Sequence, residues 1–548
     1  MPTFAQLGPS DAELEMTGVT ALRQRLGANM PTGAGVAVSQ IEAGGFVSSD
    51  GVNFEYAYTP DTTEAYFGNR NFTLKSGPGV ATNHATNMAA NWYGDNGIAP
   101  GVADIDLYSA EYFWGDDLLS TGTNLLPRVE TQRVQNHSWI IPSGGSSTIL
   151  ATEVQRRFDY MLDRDNVVAA VGVNNRSDSV FPLAMANSYN SIAVGRSNGN
   201  SSLGPTTLDV PGRSKPDIVA PARNTSTATS WVSAAASLLI ETAGSNSNAA
   251  RAQTIKAALL AGATKDEFDL DGSTLDTFDD WSHTAGQPLD ARYGAGELNV
   301  DNSYRILNAG EFENSRSQDV ATTGWDFNTI GAGQAKTYFF DVPVNATIDT
   351  LSVIATWNRE FDVHTQGSSA TFDPQLANID LKLYEASDFN LVKLIDSSTS
   401  SIDNVEHLFE RGLSGGRYAI KVLSDQQWDY ALAWQTTLAE ATPGDANFDG
   451  EVDGLDYLVW AENFENASAT VATGDFNGDQ FVDGRDLIIW TDNYTGAPAD
   501  LYLYSYTEVQ KRLAAGGIAI PEPGTSLLTA FALIGLALGR RRRLLPGR

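Results

Sequence analysis

Strand-like and helical segments alternate along about half of this 548-residue chain, and this alternation constrains its fold more than any other feature. From Gly33 to about Leu307, short runs of apolar β-branched residues are separated by Ala-rich helical segments. The clearest runs are Gly35 to Ile41, Asn166 to Val173 and Ser191 to Val194. Because parallel strands need long crossover connections, the pattern predicts an α/β domain with a parallel sheet covered by helices.

The pattern changes to strands alone between about Gly324 and Thr437. Turn residues separate five apolar runs there, which predicts an all-β sandwich of about 115 residues, a usual size for such a domain. His364 and His407 have no convincing partner in this pattern, and we expect both on the surface of the sandwich. The five runs are Lys336 to Val342, Thr350 to Trp357, Ile379 to Tyr384, Arg417 to Val422 and Tyr430 to Thr436.

Two acidic segments, 30 residues apart, match the pattern of a 12-residue calcium loop. Gly450 takes the sixth position of the first loop, where the chain turns sharply, whereas Gln480 takes it in the second. We therefore expect a more strained turn in the second loop, and an acidic turn without metal is the alternative for both. The expected Ca²⁺ ligands are Asp445, Asn447, Asp449, Asp456 and the Glu451 carbonyl in the first loop, and Asp475, Asn477, Asp479, Asp486 and the Phe481 carbonyl in the second.

Charge and cysteine content narrow the functional classes. The chain has 67 Asp and Glu residues against 35 Lys and Arg residues, a formal net charge of −32. Such a chain repels phosphate backbones, so we expect no nucleic-acid partner, and the excess of carboxylates suits a protein that holds cations. The sequence has no cysteine, which excludes disulfides, thiolate zinc sites and a cysteine nucleophile.

The C-terminal 28 residues combine a Pro521-Glu522-Pro523 motif, an apolar run from Leu527 to Leu538 and an arginine cluster from Arg540 to Arg543. The run is about a dozen residues long, shorter than the roughly 20 that a spanning helix needs. This layout resembles the PEP-CTERM sorting signal of bacterial exported proteins, and an apolar helix packed on the protein is the alternative. The resemblance implies sorting machinery as a partner, transient membrane association, removal of the tail, and a final location in the cell envelope or outside the cell. Met1 to Met16 lacks the basic and apolar stretches of a secretory signal, so we expect an export signal that this sequence does not contain.

Each acidic loop leads into an apolar helical segment, Leu455 to Phe464 and Leu487 to Tyr494. Loop followed by helix, twice, with Asp at position 12, resembles a type I dockerin. The resemblance implies Ca²⁺ as cofactor and a cohesin-type partner. A spacer that calcium holds together, without a partner, is the alternative.

Five phrases in the first part of the chain resemble, in family order, those of the subtilisin-like (subtilase) serine peptidases. His84 opens a phrase similar to the family's His-Gly-Thr-His-Val-Ala-Gly helix start, and Ser226 falls on the nucleophile of Gly-Thr-Ser-Met-Ala-x-Pro. Glu42 lies where the family has Asp. The resemblance implies a serine endopeptidase in which Ser226 attacks a peptide carbonyl, His84 takes its proton and Glu42 orients the His. The phrases are His84 to Ala90, Gly97 to Gly101, Lys215 to Pro221, Asn224 to Ser230 and Arg292 to Asn299.

The oxyanion donor and the substrate-edge strand of such a site match the family less closely than the three catalytic residues do. Strict register places Val173 at the family's oxyanion-donor position, with Asn174 one residue late, and a bulge in the strand would bring Asn174 back. Ser138 and Trp139 match the family's substrate-edge strand and are expected to bind substrate, although Trp139 in the core is the alternative. A catalytically inactive subtilisin-fold surface or adhesion protein, held through its dockerin-like module, is the alternative function.

Phrases in the β-rich part resemble the prepeptidase C-terminal type of β-sandwich: Trp357 to Arg359, Asn378 to Leu381, Ser401 to His407 and Gly415 to Tyr418. We therefore expect an α/β, subtilisin-like parallel sheet with helices on both faces, an all-β sandwich and a small α module of calcium loops. The expected boundaries are 1–310 for the peptidase domain, 316–440 for the sandwich, 441–496 for the dockerin-like module, 497–520 for a linker and 521–548 for the sorting tail.

Overall fold

The structure, a computed structural model, describes residues 8–47, 55–141, 148–268, 270, 280–365, 370–439, 442–446, 451–467, 469, 471–477 and 479–495. The chain divides into two compact units, Met1–Leu438 and Ala439–Arg548. The expected linker and sorting tail lie outside the described residues. Within the described ranges, no helix has the length and apolar character that a membrane span requires.

A parallel sheet forms the centre of the first part of unit 1. Seven described strands follow the order β10-β9-β8-β7-β1-β6-β4, and every neighbouring pair is parallel. The predicted α/β class with a parallel sheet is therefore confirmed. The strands, with a small second sheet formed by β2, β3 and β5, are β1 (Ala37–Glu42), β2 (Phe46–Val47), β3 (Glu55–Thr59), β4 (Asn71–Leu74), β5 (Gly79–Ala81), β6 (Asp104–Ser109), β7 (Val134–His137), β8 (Val168–Gly172), β9 (Ile192–Arg196) and β10 (Ile218–Ala220).

Helices cover this sheet, and the longest of them is almost entirely buried. The helix Thr225–Ala243 is rich in Ala and Ser, whose small side chains let it pack closely against neighbouring strands. It contacts β7, β8 and β9 as well as the helix that carries His84. The described helices are α1 (Asp11–Met16), α2 (Val19–Leu26), α3 (Asn83–Trp92), α4 (Ala110–Tyr112), α5 (Thr148–Asp165), α6 (Thr225–Ala243), α7 (Ala252–Ala261), α8 (Val300–Ala309), α9 (Gly454–Glu462) and α10 (Gly484–Asn493).

The β-rich part of unit 1 is one antiparallel sheet of six strands in the order β11-β18-β12-β17-β15-β16. The two predicted strands at 336–342 and 350–357 belong, except for Trp357, to a single strand of 22 residues, β12. Its register with β17 shifts between Val342 and Thr347, next to Pro343, which lacks the N–H that a ladder needs. The strands, with the hairpin β13–β14, are β11 (Thr323–Ile330), β12 (Ala335–Thr356), β13 (Glu360–His364), β14 (Thr371–Gln375), β15 (Ile379–Ser387), β16 (Asn390–Ser398), β17 (Val405–Ser424) and β18 (Trp428–Leu438).

The expected surface position is wrong for His407 and correct for His364. His407 lies on β17 and is fully buried, with its ring centroid 5.7 Å from that of Trp281. Burial lowers the pKa of His407 well below its ordinary value. His364 is exposed, and its Nε2 lies 3.5 Å from Oδ2 of Asp373. The difference arises because one end of β17 packs against residues of the α/β part.

Buried ion pairs join the α/β part of unit 1 to its antiparallel sheet. The Arg359 guanidinium, 2% exposed, lies 2.7 Å from Asp159 and 2.8 Å from Asp209. The side-chain amide of Asn404 also donates to the Tyr189 carbonyl at 2.9 Å. A buried charge needs such partners, and here the partners come from both parts. The two parts therefore pack together as one folded unit.

Unit 2 repeats one arrangement twice around α9 and α10. The indole N–H of Trp460 donates to the carbonyl of Asp483 at 2.9 Å, and that of Trp490 donates to the carbonyl of Asp453 at 2.8 Å. Each Trp thus donates to the N-cap residue of the other helix. The two Trp side chains also lie in the apolar core of the unit, so each half completes the other.

Candidate active site and candidate metal loops

The candidate catalytic residues lie at one edge of the parallel sheet. Glu42 ends β1, Ser138 directly follows β7, and Asn174 follows β8. His84 and Ser226 are each the second residue of a helix, α3 and α6 respectively. The carboxyl ends of parallel strands meet at the same edge, which is where α/β proteins commonly bind their ligands.

Glu42 and His84 form a close acid–base pair. The Nδ1 atom of His84 lies 2.7 Å from Oε2 of Glu42, with the Glu42 side chain 3% exposed and the His84 side chain 48% exposed. The hydrogen bond to Glu42 raises the pKa of His84, although partial burial acts in the opposite direction. When Nδ1 donates to the carboxylate, Nε2 of the neutral ring keeps a lone pair that can accept a proton. The extra methylene of Glu, compared with Asp, does not prevent this contact.

The start of α6 leaves one backbone donor without an acceptor among the described residues. The N–H of Thr225 donates to Oδ1 of Asn175 at 2.8 Å, and the N–H of Thr227 donates to Oδ1 of Asn224 at 2.8 Å. Between them, the N–H of Ser226 has no partner in the part of the chain that the structure describes. A helix N-terminus with a free N–H can stabilise negative charge on an oxygen placed beside it.

The hydroxyl of Ser226 is directed to a backbone acceptor. It donates to the Ser138 carbonyl at 3.2 Å, while the Ser138 hydroxyl donates to the Ser226 carbonyl at 2.9 Å. Within the described ranges, no hydrogen bond joins Ser226 to His84. Proton transfer to His84 therefore requires the Ser226 hydroxyl to give up its hydrogen bond to the Ser138 carbonyl.

The strand before Asn174 is regular. The pairing of β8 with β7 and β9 shows no register shift, so no bulge moves Asn174 back toward the strand. Asn174 lies in the loop beyond β8, and its Oδ1 accepts from the N–H of Asn175 at 2.8 Å. The side chain that reaches the start of α6 is that of Asn175, which our sequence analysis did not select. The Asn174-Asn175 doublet directly beyond a buried strand is the signal that would have indicated it.

A small pocket of about 90 Å³ lies beside Ser226. Trp139 forms part of its wall and is also 8% exposed within an apolar core cluster. The structure brings the expected substrate residues and Asn174 together at this pocket. Its lining consists of Ser138, Trp139, Ile140, Gly172, Val173, Asn174, Asn175, Thr225 and Ser226.

The candidate metal ligands are only partly described. Asn447 and Asp449 of the first loop lie outside the described residues. The position-12 residues Asp456 and Asp486 are fully buried and accept from the backbone N–H groups of Ala446 and Phe476, each at 2.8 Å. Among the described residues, no three His, Asp or Glu side chains are gathered closely enough to hold a metal. The donor types nevertheless fit Ca²⁺, which takes carboxylate, amide and carbonyl oxygens. The described members of the two sets are Asp445, Glu451 and Asp456, and Asp475, Asn477, Asp479, Phe481 and Asp486.

The turn of the second loop has the strained backbone expected from its sequence. Gln480 has a φ of +67°, a left-handed conformation that costs energy for any residue with a Cβ. Its N–H donates to Oδ2 of Asp475 at 2.8 Å. In addition, the Arg485 guanidinium lies 3.2 Å from Oδ2 of Asp479. The corresponding residue 30 positions earlier is Leu455, which carries no charge, so the two loops differ chemically.

Comparison with known proteins identifies one part of the chain. The Dockerin type I domain family matches residues 443–491. The dockerin resemblance of this segment is thereby confirmed. Dockerin domains of this type bind calcium, which agrees with the oxygen donors of the two loops. No curated protein matches the chain.

Solved structures give only distant similarity. The Prenylagaramide maturation protease PagA is 17% identical, over 53% of this chain and 98% of that chain, with a TM-score of 0.33. The MycP3 protease of the type VII (ESX-3) secretion system is 15% identical, over 56% and 90% of the two chains, with a TM-score of 0.33. The PatG macrocyclase domain is 15% identical, over 55% and 99%, with a TM-score of 0.35.

Proposed function

We propose that the α/β part of unit 1 is a subtilisin-like serine endopeptidase with Ser226, His84 and Glu42 as its catalytic residues. The observation that carries the proposal is the 2.7 Å contact between His84 Nδ1 and Glu42 Oε2 at the sheet edge where α6 begins. A buried carboxylate bonded to a half-exposed His, at the sheet edge where Ser138 connects β7 to the N-terminus of a buried helix, is an arrangement suited to acyl transfer.

The chemistry follows from the roles of three atoms. Oγ of Ser226 forms a bond to the peptide carbonyl carbon, and its proton passes to Nε2 of His84. Glu42 stabilises the resulting imidazolium, which then protonates the leaving amine as the C–N bond breaks. Water, activated by the same His, releases the acyl group and restores Ser226.

The oxyanion formed on the way needs two donors. The free N–H of Ser226 supplies one of them. We assign the second to the loop after β8, where Asn174 lines the pocket and the Asn175 amide, whose Oδ1 binds Thr225, has an NH₂ group to offer. Loss of one such side-chain donor reduces turnover by roughly 100- to 1000-fold in subtilisin.

We further propose that unit 2 binds two Ca²⁺ ions and joins a cohesin-type partner. The support is the family match at 443–491 together with two loops of oxygen donors. Bound Ca²⁺ would neutralise carboxylates that otherwise repel one another within each loop. Dockerin domains are typical of extracellular and cell-surface proteins, so export to the cell envelope or beyond, with sorting through the C-terminal tail, is part of the same proposal.

The antiparallel sheet and the domain boundaries complete the proposal. We interpret residues 316–440 as a prepeptidase C-terminal-like sandwich that follows the peptidase part at 1–310. The β12 and β17 strands of 22 and 20 residues are long enough to run through both layers of such a sandwich. Residues 441–496, 497–520 and 521–548 remain the proposed dockerin-like module, linker and PEP-CTERM tail.

A catalytically inactive surface or adhesion protein is the second candidate function. The observation in its favour is the hydrogen bond of the Ser226 hydroxyl to the Ser138 carbonyl, in place of one to His84. In this alternative, the acid–base pair and the helix start are retained as a scaffold, and unit 2 provides attachment.

Reaction with a serine-directed fluorophosphonate probe and cleavage of casein separate the two functions. The full chain with Ca²⁺ should be labelled at Ser226 and should cleave casein near neutral pH. Ser226→Ala should abolish both signals. The matched control is Ser230→Ala, one helical turn along α6, where the hydroxyl is bonded to the Thr227 carbonyl. Absence of labelling and of cleavage in the folded wild-type chain would establish the inactive alternative.

A further inference from the structure

We propose that Gln40 is a positioning residue that holds the Glu42 carboxylate in the orientation that binds His84. The inference rests on the proposed function for its catalytic meaning, but its geometry is independent of any activity. Gln40 lies on β1, two residues before Glu42, so both side chains project from the same face of the strand. Both are buried, with Gln40 0% and Glu42 2% exposed.

Gln40 connects the strand that carries the acid to the helix that carries the base. Its Nε2 donates to Oε1 of Glu42 at 2.9 Å and to the carbonyl of Ala85, the residue after His84, also at 2.9 Å. The carboxylate therefore has one oxygen bound to Gln40 and the other bound to His84. Two hydrogen bonds on opposite oxygens fix both the position and the rotation of a carboxylate.

The orientation of the Gln40 amide follows from its surroundings. Its NH₂ group faces two acceptors, the Glu42 carboxylate and the Ala85 carbonyl, and the hydroxyl of Tyr93 donates to its Oε1. The reverse orientation would set Oε1 against two acceptors. Both N–H groups and the carbonyl oxygen of the amide are thus hydrogen-bonded, and all three bonds require the same orientation of the amide.

The need for such a residue comes from the longer side chain of Glu42. Glu has one more rotatable bond than the Asp of the resembling family, so its carboxylate has more orientations to restrict. No Lys or Arg forms an ion pair with Glu42 within the described ranges, where its salt-bridge partner is His84. The side-chain amide of Gln40 is therefore the neutral donor that stabilises the buried Glu42 carboxylate at the oxygen that does not bind His84.

The test is the titration of His84 in the full chain, followed by NMR of ¹⁵N-labelled His, with a His84→Gln variant to assign its resonances. Gln40→Met removes the amide but keeps the approximate volume. It should lower the pKa of His84 toward its ordinary value, because the carboxylate that raises this pKa is no longer held in place, and it should broaden the downfield Nδ1–H resonance. An unchanged or raised pKa of His84 in a folded variant would overturn the proposal.

The chain contains a matched control for this variant. Gln135, on the adjacent strand β7, is equally buried and donates through Nε2 to a different carboxylate, that of Glu130, at 2.8 Å. Gln135→Met should therefore leave the titration of His84 unchanged, and an equal shift in this variant would indicate a general structural effect instead. Should Gln40→Met fail to fold, Tyr93→Phe removes only the bond that orients the amide and should shift the pKa of His84 in the same direction by a smaller amount.

The two proposals fail in different ways. The NMR titration needs no turnover, so it decides the role of Gln40 even if fluorophosphonate labelling of Ser226 is absent. If the peptidase proposal holds, Gln40→Met should reduce kcat more than it raises KM, because Glu42 and His84 act on the transition state rather than on bound substrate.

Discussion

Ser138 and Ser226 exchange hydrogen bonds: each hydroxyl donates to the carbonyl of the other residue, at 2.9 Å and 3.2 Å respectively. The pair connects the end of β7 to the second residue of α6. The side-chain amide of Asn136 donates to the Ser138 hydroxyl at 2.9 Å, which extends the connection into the sheet. The position of the candidate nucleophile is therefore set by the central strands and not by a loop alone.

Replacement of Ser138 by Ala should weaken this connection without releasing the Ser226 hydroxyl, whose acceptor is a backbone carbonyl. The variant leaves the buried amide of Asn136 without its acceptor, so we expect the free energy of unfolding to fall by about 1–3 kcal/mol. Urea unfolding of the full chain measures this change. The exposed Ser282→Ala should stay within about 0.5 kcal/mol of the wild type, and equal effects of the two variants would contradict the assigned role of Ser138.

Arg359→Met should destabilise unit 1 far more than a change at an exposed arginine. The variant removes the cation that lies 2.7 Å from the buried Asp159 carboxylate, whereas Asp209 keeps Arg156 at 2.7 Å. Loss of one partner from a buried ion pair costs about 3–5 kcal/mol. Arg411→Met is the control, because its guanidinium is half-exposed and 3.7 Å from Asp349, and exposed pairs contribute about 0–1 kcal/mol. If calorimetry or urea unfolding finds a similar loss in the free energy of unfolding for both variants, the prediction is contradicted.

Much of the fold of unit 1 could be predicted from the sequence because its signal is local. Strands buried on both faces appear as continuous apolar runs, and the helices between them are rich in Ala, so the alternation alone indicated the parallel sheet. The burial of His407 could not be predicted in this way. Its strand, β17, has one end covered by Trp281 from a distant part of the chain, and periodicity within a strand does not indicate which surface will cover it.

The candidate site shows the same division between local and distant information. A motif match brought Glu42 and His84 together correctly, because the strand end and the helix start that carry them are local features. The match could not indicate the acceptor of the Ser226 hydroxyl, which is the Ser138 carbonyl. It also could not decide which of Asn174 and Asn175 reaches α6, because that depends on the backbone path after β8 and not on a count of residues.

Gln480→Gly should increase the Ca²⁺ affinity of the second loop. Gln480 has a φ of +67°, a conformation that costs about 1–2 kcal/mol for a residue with a Cβ and little for Gly. The greater flexibility of Gly in the unfolded chain offsets about 0.5–1 kcal/mol of this gain. We therefore expect an affinity about two- to fivefold higher by isothermal titration calorimetry of the full chain. The exposed Gln318→Gly in unit 1 should change nothing, and an unaltered affinity in Gln480→Gly would contradict the role of this turn.

Removal of Ca²⁺ should destabilise unit 2 while unit 1 keeps its stability. The acidic side chains of each loop lie close in sequence and repel one another without a cation, and the reciprocal bonds of Trp460 and Trp490 couple the two halves. Differential scanning calorimetry of the full chain with EDTA should therefore lower one transition and leave the other in place. Restoring Ca²⁺ should reverse the shift, whereas Mg²⁺, which prefers a rigid octahedral shell, should restore less. Identical calorimetric traces with Ca²⁺ and with EDTA would contradict the prediction.

A change of pH should alter activity and stability in opposite directions at the candidate site. Glu42 raises the pKa of His84 above 6.5, and only neutral His84 can accept the Ser226 proton, so kcat/KM should fall as the pH decreases through that raised pKa. The same pair stabilises the folded state fully below 6.5, and this contribution is lost as the pH rises through the folded-state pKa of His84. Glu42→Gln should therefore move the acid limb of the pH–rate profile toward 6.5 and reduce the rate.

Asp373→Asn serves as the control for this variant, because it removes the carboxylate 3.5 Å from a different imidazole, that of exposed His364. It should leave both the acid limb and the rate unchanged. If Glu42→Gln leaves the acid limb where it is in the wild type, a group other than His84 controls the pH dependence. In that case Glu42 would not act through the His ring, and the contact between Glu42 and His84 would serve the stability of the sheet edge instead.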